Sequence, residues 1–144
     1  MNSEAYVGEV LYADSLLRVG HYDVKRDIDR ILENAISNHK FEVYYQPIYS
    51  VKAEQFQSAE ALLRLRDETY GFISPEVFIP AAEKNGTIHK IVEYVLEEVC
   101  QFIASKDFKE LGMEYIEVNL SVAQCMEQGL SRKVMEMLKK YQML

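Results

Sequence analysis

Glu60 and Arg64 sit four residues apart in the run Ser58-Ala59-Glu60-Ala61-Leu62-Leu63-Arg64-Leu65, and Asn119 lies in Tyr115-Ile116-Glu117-Val118-Asn119-Leu120. Both runs read as strands. Successive strand side chains point to opposite faces, so Glu60, Leu62 and Arg64 share one face and Ala59, Ala61 and Leu63 the other. The same alternation groups Tyr115, Glu117 and Asn119. An acid, a guanidinium and a carboxamide pointing the same way on neighbouring strands is an unusual load for a buried sheet face. Carboxylate and amide oxygens are hard ligands of the kind Mg²⁺ and Mn²⁺ prefer, and a guanidinium suits a phosphate oxygen. A structural alternative stands beside this chemistry: an internal ion pair between Glu60 and Arg64 would account for two of the three residues.

The remaining chemistry-bearing side chains offer less. His21, His39 and His89 are scattered with no partner at i, i+4, and read as surface or boundary residues. Glu68, Glu76, Glu83 and the helical acids are expected in loops or on solvated faces. Cys100 and Cys125 lack a second cysteine or a histidine at metal-ligand spacing, and two cysteines cannot frame a secreted domain. They read as buried, reduced thiols in a cytoplasmic protein.

The elements that must position these residues follow from hydrophobic period and punctuation. A first strand runs from Phe41 to Gln46, with Pro47 limiting its central pairing. Only about ten residues, Tyr49 to Gln57, separate it from the strand carrying Glu60. A parallel crossover needs roughly a dozen or more, so these two strands should pair antiparallel. After Arg66 the chain turns helical: Gly71 reads as loop, Ser74 as a cap, and Pro75 as the first helical residue. Pro80 is expected to end or kink that helix. Asn85-Gly86 is a stop and Thr87 a new cap. Then Ile88, Ile91, Val92, Val95, Leu96, Val99, Phe102 and Ile103 form an apolar stripe, and Gly112 closes the helical region. The strand Tyr115–Leu120 follows a helical connection of more than forty residues, which predicts a parallel, right-handed crossover from the Glu60 strand. A last helix is expected from about Ser121 to Tyr141, where Met126, Met135, Met137 and Met143 suggest an adaptable apolar face used in packing. Upstream, Tyr6, Val7, Val10, Leu11 and Leu17 form a loose stripe. A cleaner one comprises Ile28, Ile31, Leu32, Ala35 and Ile36, with Asp23 as its cap and Asn38-His39 as its end.

The whole chain has 144 residues, 49% hydrophobic and 27% charged. That balance describes one domain with a real core and excludes disorder, collagen-like repeats and disulfide-framed miniproteins. A formal charge of −7 without a basic stripe makes DNA or RNA a poor partner, although one or two local cations suffice for a small phosphate ligand. The N-terminus has neither the basic nor the apolar region of a signal peptide. The longest apolar stripe is interrupted by Glu93, Glu97 and Glu98, so no membrane span is expected. A soluble, cytoplasmic chain is the expectation.

The residue strings carry a family resemblance. Tyr45-Gln46-Pro47-Ile48 followed by Glu60-Ala61-Leu62-Leu63-Arg64 resembles the opening of an EAL domain. Gly71-Phe72-Ile73-Ser74-Pro75, then Phe78-Ile79-Pro80-Ala81-Ala82-Glu83, and then Val118-Asn119-Leu120-Ser121 continue it in order and spacing. The resemblance implies an α/β fold, part of a TIM-like (β/α) barrel whose first strand is antiparallel to the others, preceded by N-terminal helices. Residues 1–40 would be a helical lead-in or linker, and 41–144 the N-terminal portion of the domain. Active members of the family hydrolyse cyclic di-GMP to linear pGpG with Mg²⁺ or Mn²⁺. Carried over by motif, Glu60 and Asn119 would be metal ligands, and Gln46 and Arg64 would contact the dinucleotide. The family's later acidic ligands, its paired aspartates, catalytic lysine and a further glutamate would lie beyond Leu144. Activity of this chain alone is therefore not expected, metal binding should be weak, and self-association is expected. A non-catalytic module that binds cyclic di-GMP or a protein partner is the alternative. Glu117 departs from the family, which usually has a small or neutral residue there. It would either pair with a base or be exposed.

Overall fold

The computed structural model describes residues 23–119 and 128–144. The stripe at residues 6–17, Cys125, Met126 and the expected start of the last helix at Ser121 lie outside the described residues.

Helix α1 spans residues 23–37 and buries the predicted stripe: Ile28, Ile31, Leu32 and Ala35, together with Val24. Asp23 is already helical, so it is not the cap. Asn38 and His39 do end the helix, His39 in a left-handed conformation (φ 53°) with the Lys40 amide returning to the Ala35 carbonyl at 3.0 Å.

Strand β1 (Phe41–Ser50) pairs antiparallel with β2 (Gln55–Asp67), as the short connection requires. The hairpin is longer than the sequence pattern indicates. Pro47 does not end β1 but sits opposite Ala59, and β1 has no second strand neighbour among the described residues. Proline is tolerated on such an edge because no other strand needs its missing donor. Gly71, read above as loop, instead opens a three-residue strand, β3 (Gly71–Ile73), antiparallel to β2. Its φ of 70° suits glycine at the tight turn after Asp67, whose carboxylate accepts the Thr69 and Tyr70 amides.

Helix α2 (Pro75–Asn85) starts as expected, with the Ser74 hydroxyl accepting the Glu76 amide at 3.3 Å. Pro80 lies inside this helix and does not end it. The carbonyl it leaves without a helical donor belongs to Glu76, which is exposed and open to water. Gly86, in the left-handed region (φ 84°), caps the C-terminus.

Helix α3 (Ile88–Ala104) follows, burying Ile88, Ile91, Val92, Val99 and Cys100. Thr87 precedes it but makes no side-chain cap. Its hydroxyl donates to Asn85 Oδ1 at 2.7 Å instead. Ser105 ends α3 and caps α4 (Lys106–Glu110), its Oγ accepting the Phe108 amide. Strand β4 (Tyr115–Val118) then pairs parallel with β2. Helix α5 (Leu130–Lys140) begins only after Gly129, whose left-handed backbone (φ 87°) breaks the single helix expected from Ser121 to Tyr141. It leans on α3 through Lys133–Glu93 at 2.8 Å and Lys140–Glu97 at 2.7 Å. Of its methionines, Met135 is exposed.

One face of the sheet packs on the helices. Phe41, Leu65 and Ile73 join α1, Phe78 and Ala82 of α2, and Ile88, Ile91 and Val92 of α3 in a single apolar cluster. Further along, Tyr45 of β1 stacks on Phe102 at 4.2 Å, and its hydroxyl donates to the Glu98 carbonyl. Burial, first, and Glu98, second, push this phenol up to about 12. Burial likewise pushes the Cys100 thiol up, as expected of an inert reduced cysteine.

Candidate functional site

The sheet face away from the helices carries the polar residues. Antiparallel pairing sets Gln46 of β1 opposite Glu60 of β2, and parallel pairing sets Glu60 opposite Glu117 of β4. Residues directly opposite point to the same side, so Gln46, Glu60 and Glu117 form one row across three strands. Asn119 lies two residues past Glu117, on the same face. Its amide Nδ2 donates to Glu60 Oε1. The structure therefore brings together the two residues singled out as metal ligands.

Arg64 is on the same face four residues further along β2 than Glu60, opposite Glu42 in the register. Among the described residues it makes no ion pair with Glu60, so the alternative structural pairing does not form. Its Nη1 donates to the Leu63 carbonyl at 3.1 Å, and its guanidinium lies 5.9 Å from the centre of the Tyr44 ring. The Tyr44 hydroxyl in turn donates to Glu42 at 2.9 Å. Alternation places Tyr44 on this face, but its neighbourhood with Arg64 depends on the β1–β2 register, which no local pattern reveals.

Arg64 and Asn119 also line a cavity of about 400 Å³. Leu62, Leu63 and Val118 contribute from the sheet, and Ile79 and Val95 close it from α2 and α3. The cavity lies along β2 between the stretch paired with β4 and the stretch paired with β3. An apolar-walled hollow with a few polar groups is the general form of a small-molecule pocket. Gln46 and Glu117 are exposed, the latter in accord with the second of its two expectations.

The donor set suits a hard divalent cation in kind. Glu60 offers carboxylate oxygens, and the Asn119 amide, turned about its last torsion, offers oxygen in place of nitrogen. In number it is sparse: no group of three or more His, Cys, Asp or Glu side chains arranged to hold an ion occurs among the described residues.

Residues 29–144 match the family model described as the EAL domain. The chain belongs to the EAL domain family. It is 31% identical over 121 residues to Signaling protein YkoW of Bacillus subtilis, covering 83% of this chain and 15% of YkoW. It is 35% identical over 74 residues to Cyclic di-GMP phosphodiesterase NbdA of Pseudomonas aeruginosa, covering 51% of this chain and 10% of NbdA. The structure of PaMucR phosphodiesterase in complex with c-di-GMP superposes with a TM-score of 0.73 at 32% identity, covering 80% of this chain and 47% of the PaMucR chain. The chain thus spans about half of the PaMucR chain and a small share of the two curated relatives. The α/β architecture is accordingly that of part of an EAL domain's TIM-like barrel. Strand β1 is antiparallel to β2 and β4 as expected, but the short β3 is also antiparallel to β2, so β1 is not antiparallel to every other strand. Among the described residues no helix is long and apolar enough to cross a membrane.

Proposed function

We propose that this EAL domain chain forms part of a metal-dependent site for hydrolysis of cyclic di-GMP to linear pGpG, in a cytoplasmic protein. The observation that carries the reading is the Asn119–Glu60 hydrogen bond, which joins residues 59 positions apart on neighbouring strands. Glu60 and Asn119 would hold Mg²⁺ or Mn²⁺. Such an ion, when bound, supplies charge that polarises the scissile phosphate and eases deprotonation of the attacking water. Arg64 holds a phosphate oxygen by exchanging its Leu63 carbonyl contact for a charge-assisted bond, and its planar fork suits that geometry. Gln46, exposed and opposite Glu60, offers one donor and one acceptor edge to the dinucleotide.

This chain alone is not expected to turn substrate over. Removing one stabilising donor from an active site costs about 10²–10³ in rate, and the described face offers few. That sparseness favours a second reading, a module that binds the dinucleotide or a protein without chemistry. The test is cyclic di-GMP added to the full chain with Mn²⁺, followed by calorimetry and by chromatography of products. The expected result is weak binding, on the order of millimolar, lost in both Arg64→Ala and Glu60→Gln, with no product. Glu60-dependent product would show the chain to be a complete enzyme. Binding that needs Arg64 but neither Glu60 nor metal would favour the non-catalytic module. Failure of Arg64→Ala and Glu60→Gln to change anything would overturn both readings.

A further inference from the structure

Glu117 stands directly opposite Glu60 in the parallel β2–β4 register. Neighbouring strands lie about 4.8 Å apart, and like charges directly opposite one another on a sheet destabilise it. Nothing on the described face relieves this pair. Glu60 is bonded to the neutral Asn119 amide. Of the cations on that face, Arg64 is turned to the Leu63 carbonyl and the Tyr44 ring, and Arg66, further along β2, lies over the Phe72 ring. Glu117 is exposed, and among the described residues it has neither a hydrogen bond nor an ion pair. The Asn119 carboxamide now offers its nitrogen to Glu60, and a half-turn of its last torsion would present it as an oxygen donor. Two facing carboxylates beside such a carboxamide are a sheet arrangement whose electrostatics improve when a hard cation sits between them.

We propose that Glu117 is a third oxygen donor to the divalent-cation site of Glu60 and Asn119, so that the protein's charge at the ion is −2 and not −1. The inference rests on the metal-site reading above. It changes what that site does. Affinity for Mg²⁺ or Mn²⁺ rises with ligand charge, because the donors must offset the ion's dehydration. With no ion bound, the same two carboxylates repel the phosphates of a dinucleotide. Metal and dinucleotide therefore bind with positive coupling, and each must raise the other's affinity by the same factor.

The experiment is Mn²⁺ titration of the full chain, with free ion followed by electron paramagnetic resonance, for the wild type, Glu117→Gln, Glu60→Gln and Glu54→Gln. Glu54 is an exposed acid in the distant hairpin turn and controls for loss of general surface charge. Loss of even an outer partner of a metal ligand costs about 10–100-fold in affinity, so Glu117→Gln should weaken Mn²⁺ by at least about tenfold, with Glu54→Gln unchanged. Thermal unfolding gives a second readout. Without metal, Glu117→Gln should melt no lower than the wild type, because it removes a repulsion, whereas the Mn²⁺-induced rise in Tm should shrink. Wild-type affinity in Glu117→Gln beside lost affinity in Glu60→Gln would overturn the role of Glu117 and leave the two-ligand site standing. Equal affinities in all four proteins would overturn the site and the inference together.

Discussion

Asp27 shows how much a single carboxylate owes to its immediate donors. It accepts from Arg26 Nε at 3.2 Å and from the Tyr70 hydroxyl at 2.7 Å, the latter tying α1 to the turn between β2 and β3. The Arg26 guanidinium first, and the Tyr70 phenol second, hold its carboxyl at about 2, below the ordinary 3.8. A carboxyl depressed in the folded state binds fewer protons there than in the unfolded chain. Its contribution to stability is therefore present above the ordinary value and is lost as pH falls from about 4 towards 2. Asp27→Asn should remove that share of the acid sensitivity. Tm recorded against pH over this window should fall less steeply in the variant, and parallel curves would refute the assignment. On the polar sheet face Arg64 bonds a backbone carbonyl and not Glu60, which leaves the carboxylate to Asn119.

At the scale of elements, α2 joins a strong anchor to a local defect. Phe78 is fully buried and its ring lies 5.9 Å from that of Phe41, so it fastens the helix to the start of β1. Phe78→Ala should cost about 3–5 kcal/mol through lost transfer energy and the cavity left behind. The urea midpoint should drop accordingly at an unchanged slope. Two residues later, Pro80 occupies the exposed side of the same helix. Proline in a helix interior costs up to about 3 kcal/mol against alanine, partly offset by the freedom alanine restores to the unfolded chain. Pro80→Ala should restore a bond to the Glu76 carbonyl and stabilise the domain by about 1–2 kcal/mol. A lower urea midpoint would mean that the proline ring makes packing contacts that outweigh the missing bond.

Over the whole molecule, apolar groups are distributed unevenly. The helix side buries most of the described core, whereas the opposite face and the hairpin tip expose Tyr44, Ile48, Tyr49, Phe56 and Tyr115, and β1 is unpaired on one edge among the described residues. Exposed aromatic surface and an open strand edge favour pairing between copies. The purified chain is expected to self-associate in the micromolar range. Light scattering that finds monomer alone across that range would refute this. An Ile48→Lys substitution, placing a charge on the exposed strand, should shift the population towards monomer if this face is the contact.

The family could be read from the residue strings, and the elements largely from periodicity. Ile28, Ile31, Leu32 and Ala35 declare a buried helix face by spacing alone, and the short run from Tyr49 to Gln57 forces β1 and β2 antiparallel because too few residues remain for a crossover. The face shared by Glu60 and Arg64 is equally local, since alternation needs no partner strand. Other features needed the folded chain. Strand β3 is three residues long, too short for any period, and exists because β2 offers it an edge. Pro80 breaks a helix rule that the burial of Phe78 and Ala82 overrides. Thr87 exchanges its cap for Asn85, a choice settled by loop geometry. The row of Gln46, Glu60 and Glu117 is a matter of register, and a slip of one residue would turn every side chain of a strand to the other face. Residue types and period determined which groups have the chemistry. Only tertiary pairing, driven by burial of the opposite face, decided which of them meet.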